Sequence, residues 1–243
     1  MEEKEEIRRA VEVLRKGGVI LYPTDTVWGL GCDATNPEAV AKIFAIKRRP
    51  DSKSLVLLAS DMDMVCRYIK EVPEIAVQLV EVNDKPMTIV YPGARAAEPG
   101  APADRHLLAA ETVAGDSSVA IRVPLNDFCR RLVASLGCPL VSTSANISGE
   151  STPANFSEIS GEIKSAVDYV VDPGFGKTAT GKASSIIKVG LDASIEIIRI
   201  CRCCRRASCR RKIHAYCCRL SCCCFPALPC VSRCGRGTGR CSR

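Results

Sequence analysis

The feature that most constrains this chain is an abrupt change of composition at residue 200. Of sixteen cysteines in 243 residues, twelve fall in 201–243, together with eleven Lys and Arg and no Asp or Glu. A segment of that kind lacks the apolar periodicity from which a core is built, so the fold has to be contained in residues 1–200. The formal charge of +7 belongs to the tail: 1–200 carries 23 basic and 27 acidic residues, a net of −4. The overall basicity therefore gives no reason to read the body as a nucleic-acid binder. Cys32, Cys66, Cys129 and Cys138 have no paired spacing, which fits a reduced, cytoplasmic protein and no structural metal. The N-terminal Met-Glu-Glu-Lys-Glu-Glu has no signal-peptide core. No apolar run approaches the roughly 20 residues of a membrane span.

Within the body, strand patterns alternate with helical ones. Ile7, Ala10, Val11 and Leu14 repeat at helical spacing, and Gly17-Gly18 closes that helix. Gly18-Val-Ile-Leu-Tyr22 reads as a strand. Asn36-Pro37 opens a helix whose buried stripe is Val40, Ile43 and Phe44, and Pro50 ends it by Arg49. Leu55–Leu58 is a short apolar strand. Asp61 caps a helix, Pro73 starts another, and Met87–Tyr91 is a strand. Residues 93–117 are rich in Ala, Gly and Pro with weak periodicity and read as a mobile loop. A strand at 119–123, a helix from Asn126 to Gly137, and a strand at 139–141 follow. The chain then gives a helix near 155–166, strand 168–171, a loop at 173–183, and strands near 184–189 and 194–200. Such alternation argues an α/β protein, and the close strand pairs at the end argue a twisted mixed sheet, parallel and antiparallel, flanked by helices.

Four stretches could carry chemistry. Tyr22-Pro-Thr-Asp-Thr-Val-Trp-Gly-Leu-Gly31 runs from a strand end into hydroxyls, a carboxylate and glycines, where α/β sheets bind compact polar ligands; a plain polar turn would have the same composition. Trp28 is open between core and pocket wall. Lys47-Arg-Arg-Pro-Asp-Ser-Lys53 holds four cations suited to a polyphosphate, or to a solvated helix end. Ser142-Thr-Ser-Ala-Asn-Ile-Ser-Gly149 offers hydroxyls and an amide to phosphate or carboxylate oxygens, or forms a Ser/Asn-rich turn. Ser144 is not read as a nucleophile, since no elbow motif surrounds it and the only nearby histidine by sequence is His106. Gly174-Phe-Gly-Lys-Thr178 only mimics a phosphate loop, because Val171 stands where its first glycine belongs.

Taken in order, YPTDTVWGLG, KRRP and STSANISG resemble the three blocks of the YrdC/Sua5 family, the threonylcarbamoyl-adenylate synthases, over about residues 7–199. The resemblance implies a YrdC-like fold for 1–200. It also implies condensation of L-threonine, bicarbonate and ATP to threonylcarbamoyl-AMP and pyrophosphate. Partner proteins then transfer the group to adenosine 37 of tRNAs as t6A, and the family also suggests double-stranded RNA binding. By motif position it implies threonine contacts at Thr26, Arg122, Ser142 and Ser184. ATP contacts are implied at Arg49, Lys53, Ser118, Ser144, Asn146, Thr152 and Arg199. Catalysis would come from positioning and electrostatics with no nucleophile, and Mg²⁺ would be held largely by the triphosphate. A non-catalytic RNA-binding module in tRNA or ribosome maturation is the alternative. The tail has contiguous cysteine runs rather than zinc-finger spacing. It is read as disordered and outside the selected fold, with a basic RNA-binding arm as the other option.

Overall fold

The computed structural model describes residues 2–48, 55–178 and 180–200. The tail and the site candidates Arg49 and Lys53 lie outside the described residues.

Among the described residues a nine-stranded mixed sheet runs in the order β7-β1-β2-β6-β3-β5-β4-β8-β9. Its strands are β1 (Ile20–Pro23), β2 (Trp28–Gly31), β3 (Val56–Leu58), β4 (Met87–Tyr91), β5 (Val119–Arg122), β6 (Leu140–Ser144), β7 (Tyr169–Val170), β8 (Ser185–Val189) and β9 (Ile195–Arg199). The pairs β1/β7, β3/β5 and β4/β8 are parallel and the other neighbours antiparallel, as the α/β mixed-sheet expectation required. The helices are α1 (Glu3–Arg15), α2 (Pro37–Lys47), α3 (Met62–Tyr68), α4 (Glu74–Glu81), α5 (Asp127–Leu136) and α6 (Gly161–Ala166). None is long and apolar enough to cross a membrane.

The helix ends follow local chemistry. Asn36 Oδ1 accepts from the Glu38 and Ala39 amides at the start of α2, Asp61 accepts from Met64 N at α3, and Asn126 from Cys129 N at α5. Each satisfies amides that the first turn leaves without a helical partner. Gly137 ends α5 at φ 84°, a left-handed geometry that glycine adopts without a Cβ penalty. The apolar stripe of α1 (Ile7, Ala10, Val11, Leu14) packs with that of α5 (Phe128, Cys129, Leu132, Val133, Leu136), and Arg131 ties to Glu3 at 3.0 Å.

Four expectations need correction. Trp28–Gly31 is a strand, not part of a loop, and makes a hairpin with β1 in the register Tyr22↔Gly29. Its glycines permit close packing: a Cβ on Gly31 would meet Tyr22 Cε1 at 2.7 Å and Val141 O at 3.1 Å. Ser142–Ser144 likewise lies within β6, paired to β3 at Val56↔Ser142 and to β2 at Gly29↔Ser144. Residues 93–117 are tied down rather than loose. Main-chain bonds join Arg95 N to Tyr68 O (2.8 Å), Ala94 N to Ser117 O (2.9 Å) and Ala109 N to Ala34 O (2.9 Å), and Leu108, Ala109 and Thr112 are buried. The periodicity is weak there because backbone contacts, not a helical or strand face, hold the segment. The helix expected near 155–166 is split into a 3-10 turn (Phe156–Glu158) and α6.

Candidate functional site

The β1–β2 hairpin tip carries the first group of polar side chains. Thr24 Oγ1 donates to Val27 O at 2.7 Å and accepts from the Thr26 and Val27 amides, a local hydroxyl turn of the kind threonine favours at such bends. It also shares a 2.8 Å hydrogen bond with Thr26 Oγ1. Into this tip reaches Arg122 from the end of β5. Its Nη1 donates to Thr26 Oγ1 at 3.0 Å and lies 3.2 Å from Asp25 Oδ1. The other Asp25 oxygen accepts from Leu125 N at 3.2 Å.

Sheet register accounts for what meets Arg122. Successive residues of a strand alternate faces and cross-strand partners share one. Leu58 pairs with Arg122, Val56 with Ala120, and Val56 with Ser142, so Arg122 and Ser142 project from the same face. Ser144, two positions on, shares that face. Thr88, two positions from the Val90 that pairs with Ala120, does so as well, and its Oγ1 lies 2.8 Å from Ser184 Oγ. Thr24, Asp25, Thr26, Thr88, Ser118, Arg122, Ser142 and Ser184 are all buried. Polar groups are kept inside a fold only when they are satisfied or when they serve a ligand.

The Ser142–Gly149 block is braced from below. Lys47, the last residue of α2, is buried and donates through Nζ to Ser144 O at 2.5 Å and Asn146 O at 2.7 Å. Its own carbonyl accepts from Ser148 N at 2.9 Å. Ser144 Oγ donates to Asn146 Oδ1, and Asn146 Nδ2 donates to Ile147 O and Glu150 O. Beside this lies a cavity of about 390 Å³ lined by Ala145, Asn146, Glu150, Ser151, Pro153, Glu158 and Ser160.

The structure therefore brings three pairs of the expected site residues into direct contact: Thr26 with Arg122, Ser144 with Asn146, and Ser184 with Arg199, whose Nε donates to Ser184 O at 3.0 Å. Ser142 shares the Arg122 face. Ser118 is buried and held by Asp116 Oδ1, which accepts from both its hydroxyl and its amide. Thr152 is exposed on the loop beyond Glu150, making no such contact with the others. Trp28 is core: it is buried, with its ring 4.8 Å from that of Phe156. Two residues escaped the sequence reading. Asp25 stood in view as the one carboxylate of the hairpin tip, and Lys47 as the first cation of the basic block, but neither partner is local in sequence.

The electrostatics are quiet. Burial, then Cys129 nearby, pushes the Tyr22 phenol far up, and burial pushes the Cys129 thiol up to about 12; both stay protonated at neutral pH. Among the described residues no three of His, Cys, Asp and Glu gather as a metal site would need. The arrangement offers hydroxyls, an amide and cations. It suits charge neutralisation and alignment rather than covalent catalysis.

A family model described as "Telomere recombination" (Sua5/YciO/YrdC) matches residues 12–201. The threonylcarbamoyl-AMP synthase of Pseudoalteromonas translucida is 35% identical over 180 residues, covering 72% of this chain and 90% of that protein. Among solved structures, P. abyssi Sua5 complexed with L-threonine is 28% identical, with a TM-score of 0.65 over 78% of this chain. The chain spans only 52% of that longer protein. E. coli YciO superposes with a TM-score of 0.64 at 27% identity, covering 83% of this chain and 91% of that one.

Proposed function

Because the chain belongs to the Sua5/YciO/YrdC family, we propose that it is a threonylcarbamoyl-AMP synthase, a nucleotidyltransferase using L-threonine, bicarbonate and ATP. The observation that carries the reading is the buried contact between Arg122 and Thr26, on the sheet face that also bears Ser142 and Ser144. A guanidinium and a threonine hydroxyl side by side are what a small hydroxy amino acid needs for its carboxylate and its own hydroxyl. Relatives of this name support the same assignment.

In this reading Thr26, Arg122, Ser142 and Ser184 hold threonine. Ser118, Ser144, Asn146 and Arg199 serve ATP, with Arg49, Lys53 and Thr152 proposed on motif position alone. A carbamate oxygen of N-carboxythreonine attacks the α-phosphorus of ATP, the bond to the β,γ-phosphates breaks, and pyrophosphate leaves with the electron pair. The chain's own groups supply alignment and positive charge. Mg²⁺ would come with the triphosphate: Asp25 is engaged by Arg122 and Leu125 N, and Asp116 by Lys188 and Ser118, so these carboxylates do not form a metal cage. The product would go to tRNA through transfer proteins that complete t6A.

The test is direct. The full chain is incubated with ATP, Mg²⁺, L-threonine and bicarbonate, and threonylcarbamoyl-AMP is sought by mass spectrometry. A threonine-dependent adduct is expected. No adduct, with RNA binding retained, would overturn the assignment in favour of an RNA-binding module.

A further inference from the structure

We infer that Asp25 is a positioning residue: it holds the Arg122 guanidinium in one orientation, so that the edge left free receives the amino-acid carboxylate. The inference rests on the synthase reading and deepens it.

Asp25 and Arg122 are a buried ion pair, with side chains 8% and 5% exposed. A guanidinium that far from water is costly unless a counter-charge stands beside it. Asp25 is also unable to turn away. One oxygen faces Arg122 Nη1 and the other accepts from Leu125 N, three residues beyond that arginine. Its main-chain carbonyl accepts from Thr180 N at 3.1 Å, and that of Thr26 from Gly181 N at 2.7 Å. The hairpin tip is thus fixed by backbone bonds, and the carboxylate is fixed with it. Arg122 Nη1 donates to Thr26 Oγ1 and faces Asp25 Oδ1 as an ion pair without a hydrogen bond, whereas Nε is buried with no hydrogen-bond partner among the described residues. A carboxylate binds an arginine best along one edge of the fork, and the pinned Nη1 determines which edge is offered. Asp25 therefore acts through Arg122 rather than on the substrate.

Asp25→Asn keeps the shape and an acceptor for Leu125 N but removes the charge. The expected result is a rise of at least tenfold in KM for threonine, with KM for ATP within twofold of the parent. A purely structural role would move both or neither. The double variant Asp25→Asn, Arg122→Gln, which removes both charges, is expected to be no worse for threonine than Arg122→Gln alone. It should also recover most of the melting temperature that Asp25→Asn loses, so a poorly folded single variant still leaves the cycle readable. Strictly additive effects would overturn the inference. A readout independent of substrate is the Arg122 Nε–H resonance in the ligand-free protein, expected to be shifted and exchange-protected in the parent and to lose both properties in Asp25→Asn. An unchanged resonance overturns the role of Asp25, whereas a parent protein that makes no adduct overturns the synthase reading instead.

Discussion

Replacing Lys47 with Met should detach the Ser144–Asn146 segment from α2. The buried ammonium donates to two main-chain carbonyls at 2.5 and 2.7 Å. Hydrogen bonds from a charged donor are worth about 1.5–3 kcal/mol each, so the gross loss is about 3–6 kcal/mol. Met fills a similar volume and removes the desolvation cost of the ammonium, which offsets roughly half of that. The net destabilisation is then about 1.5–3 kcal/mol. For a body of this size each kcal/mol lowers the melting temperature by about 2–4 °C, giving a fall of roughly 3–12 °C. Equilibrium urea denaturation is the assay, with the slope required to stay constant so that the change reports stability alone. The KM for ATP should rise in parallel, because Ser144 and Asn146 lose their brace. A destabilisation below about 0.5 kcal/mol, within the range of an ordinary surface change, would refute the claim that this lysine holds the segment.

Three further outcomes are expected. Gly31→Ala places a methyl 2.7 Å from Tyr22 Cε1 and should cost about 1–3 kcal/mol by overpacking; denaturation showing no loss would mean that the β1–β2 hairpin packs less tightly than described. Thiol-reactive reagents followed by peptide mass spectrometry should modify exposed Cys66 while Cys32, Cys129 and Cys138 resist until the protein unfolds, since these three are buried and burial holds their thiols protonated. The third concerns pH. The Lys188 ammonium, with Ser118, holds the Asp116 carboxyl well below the usual carboxylate range. A depressed folded pKa contributes stability that is present above the unfolded value near about 4 and is lost as pH falls through the folded one. Asp116→Asn should therefore flatten the acid limb of stability below about pH 4. The pair is largely exposed, so the effect should be small and should fade in salt; an acid limb identical to the parent's in low salt would contradict it.

Most of the fold was legible because its signals are local. The cap at Asn36, the cap at Asn126 and the left-handed stop at Gly137 each involve residues a few positions apart, and the α1 and α5 stripes are periodic. Trp28–Gly31 was not legible as a strand. Two glycines in four residues argue against one on propensity, and the reason for them, the approach of Tyr22 and the Val141 carbonyl, is a tertiary fact. The site behaved in the same way. The blocks around Thr26 and Ser142 were conspicuous as polar runs after strands. Asp25 and Lys47 were not, because the Arg122 that gives the first its purpose lies 97 positions away in sequence, and the carbonyls that engage the second lie 97 and 99 away. Residues 93–117 misled through lack of periodicity, since main-chain bonds leave no pattern in side chains.

Strand β6 joins the two ends of this history. It is hydrogen-bonded to β2 on one edge and to β3 on the other, and both partners precede it by more than eighty residues. During synthesis the hairpin tip with Thr24, Asp25 and Thr26 leaves the ribosome early, yet it has no Arg122 to meet until 96 residues later, and no β6 until later still. Contacts this far apart close slowly, because the intervening chain must lose its freedom first. Every nascent chain ending short of β6 carries the polar hairpin tip without its wall, and Ser184 and Arg199 follow later still. Recognition in this protein is acquired late, as the last strands complete the sheet.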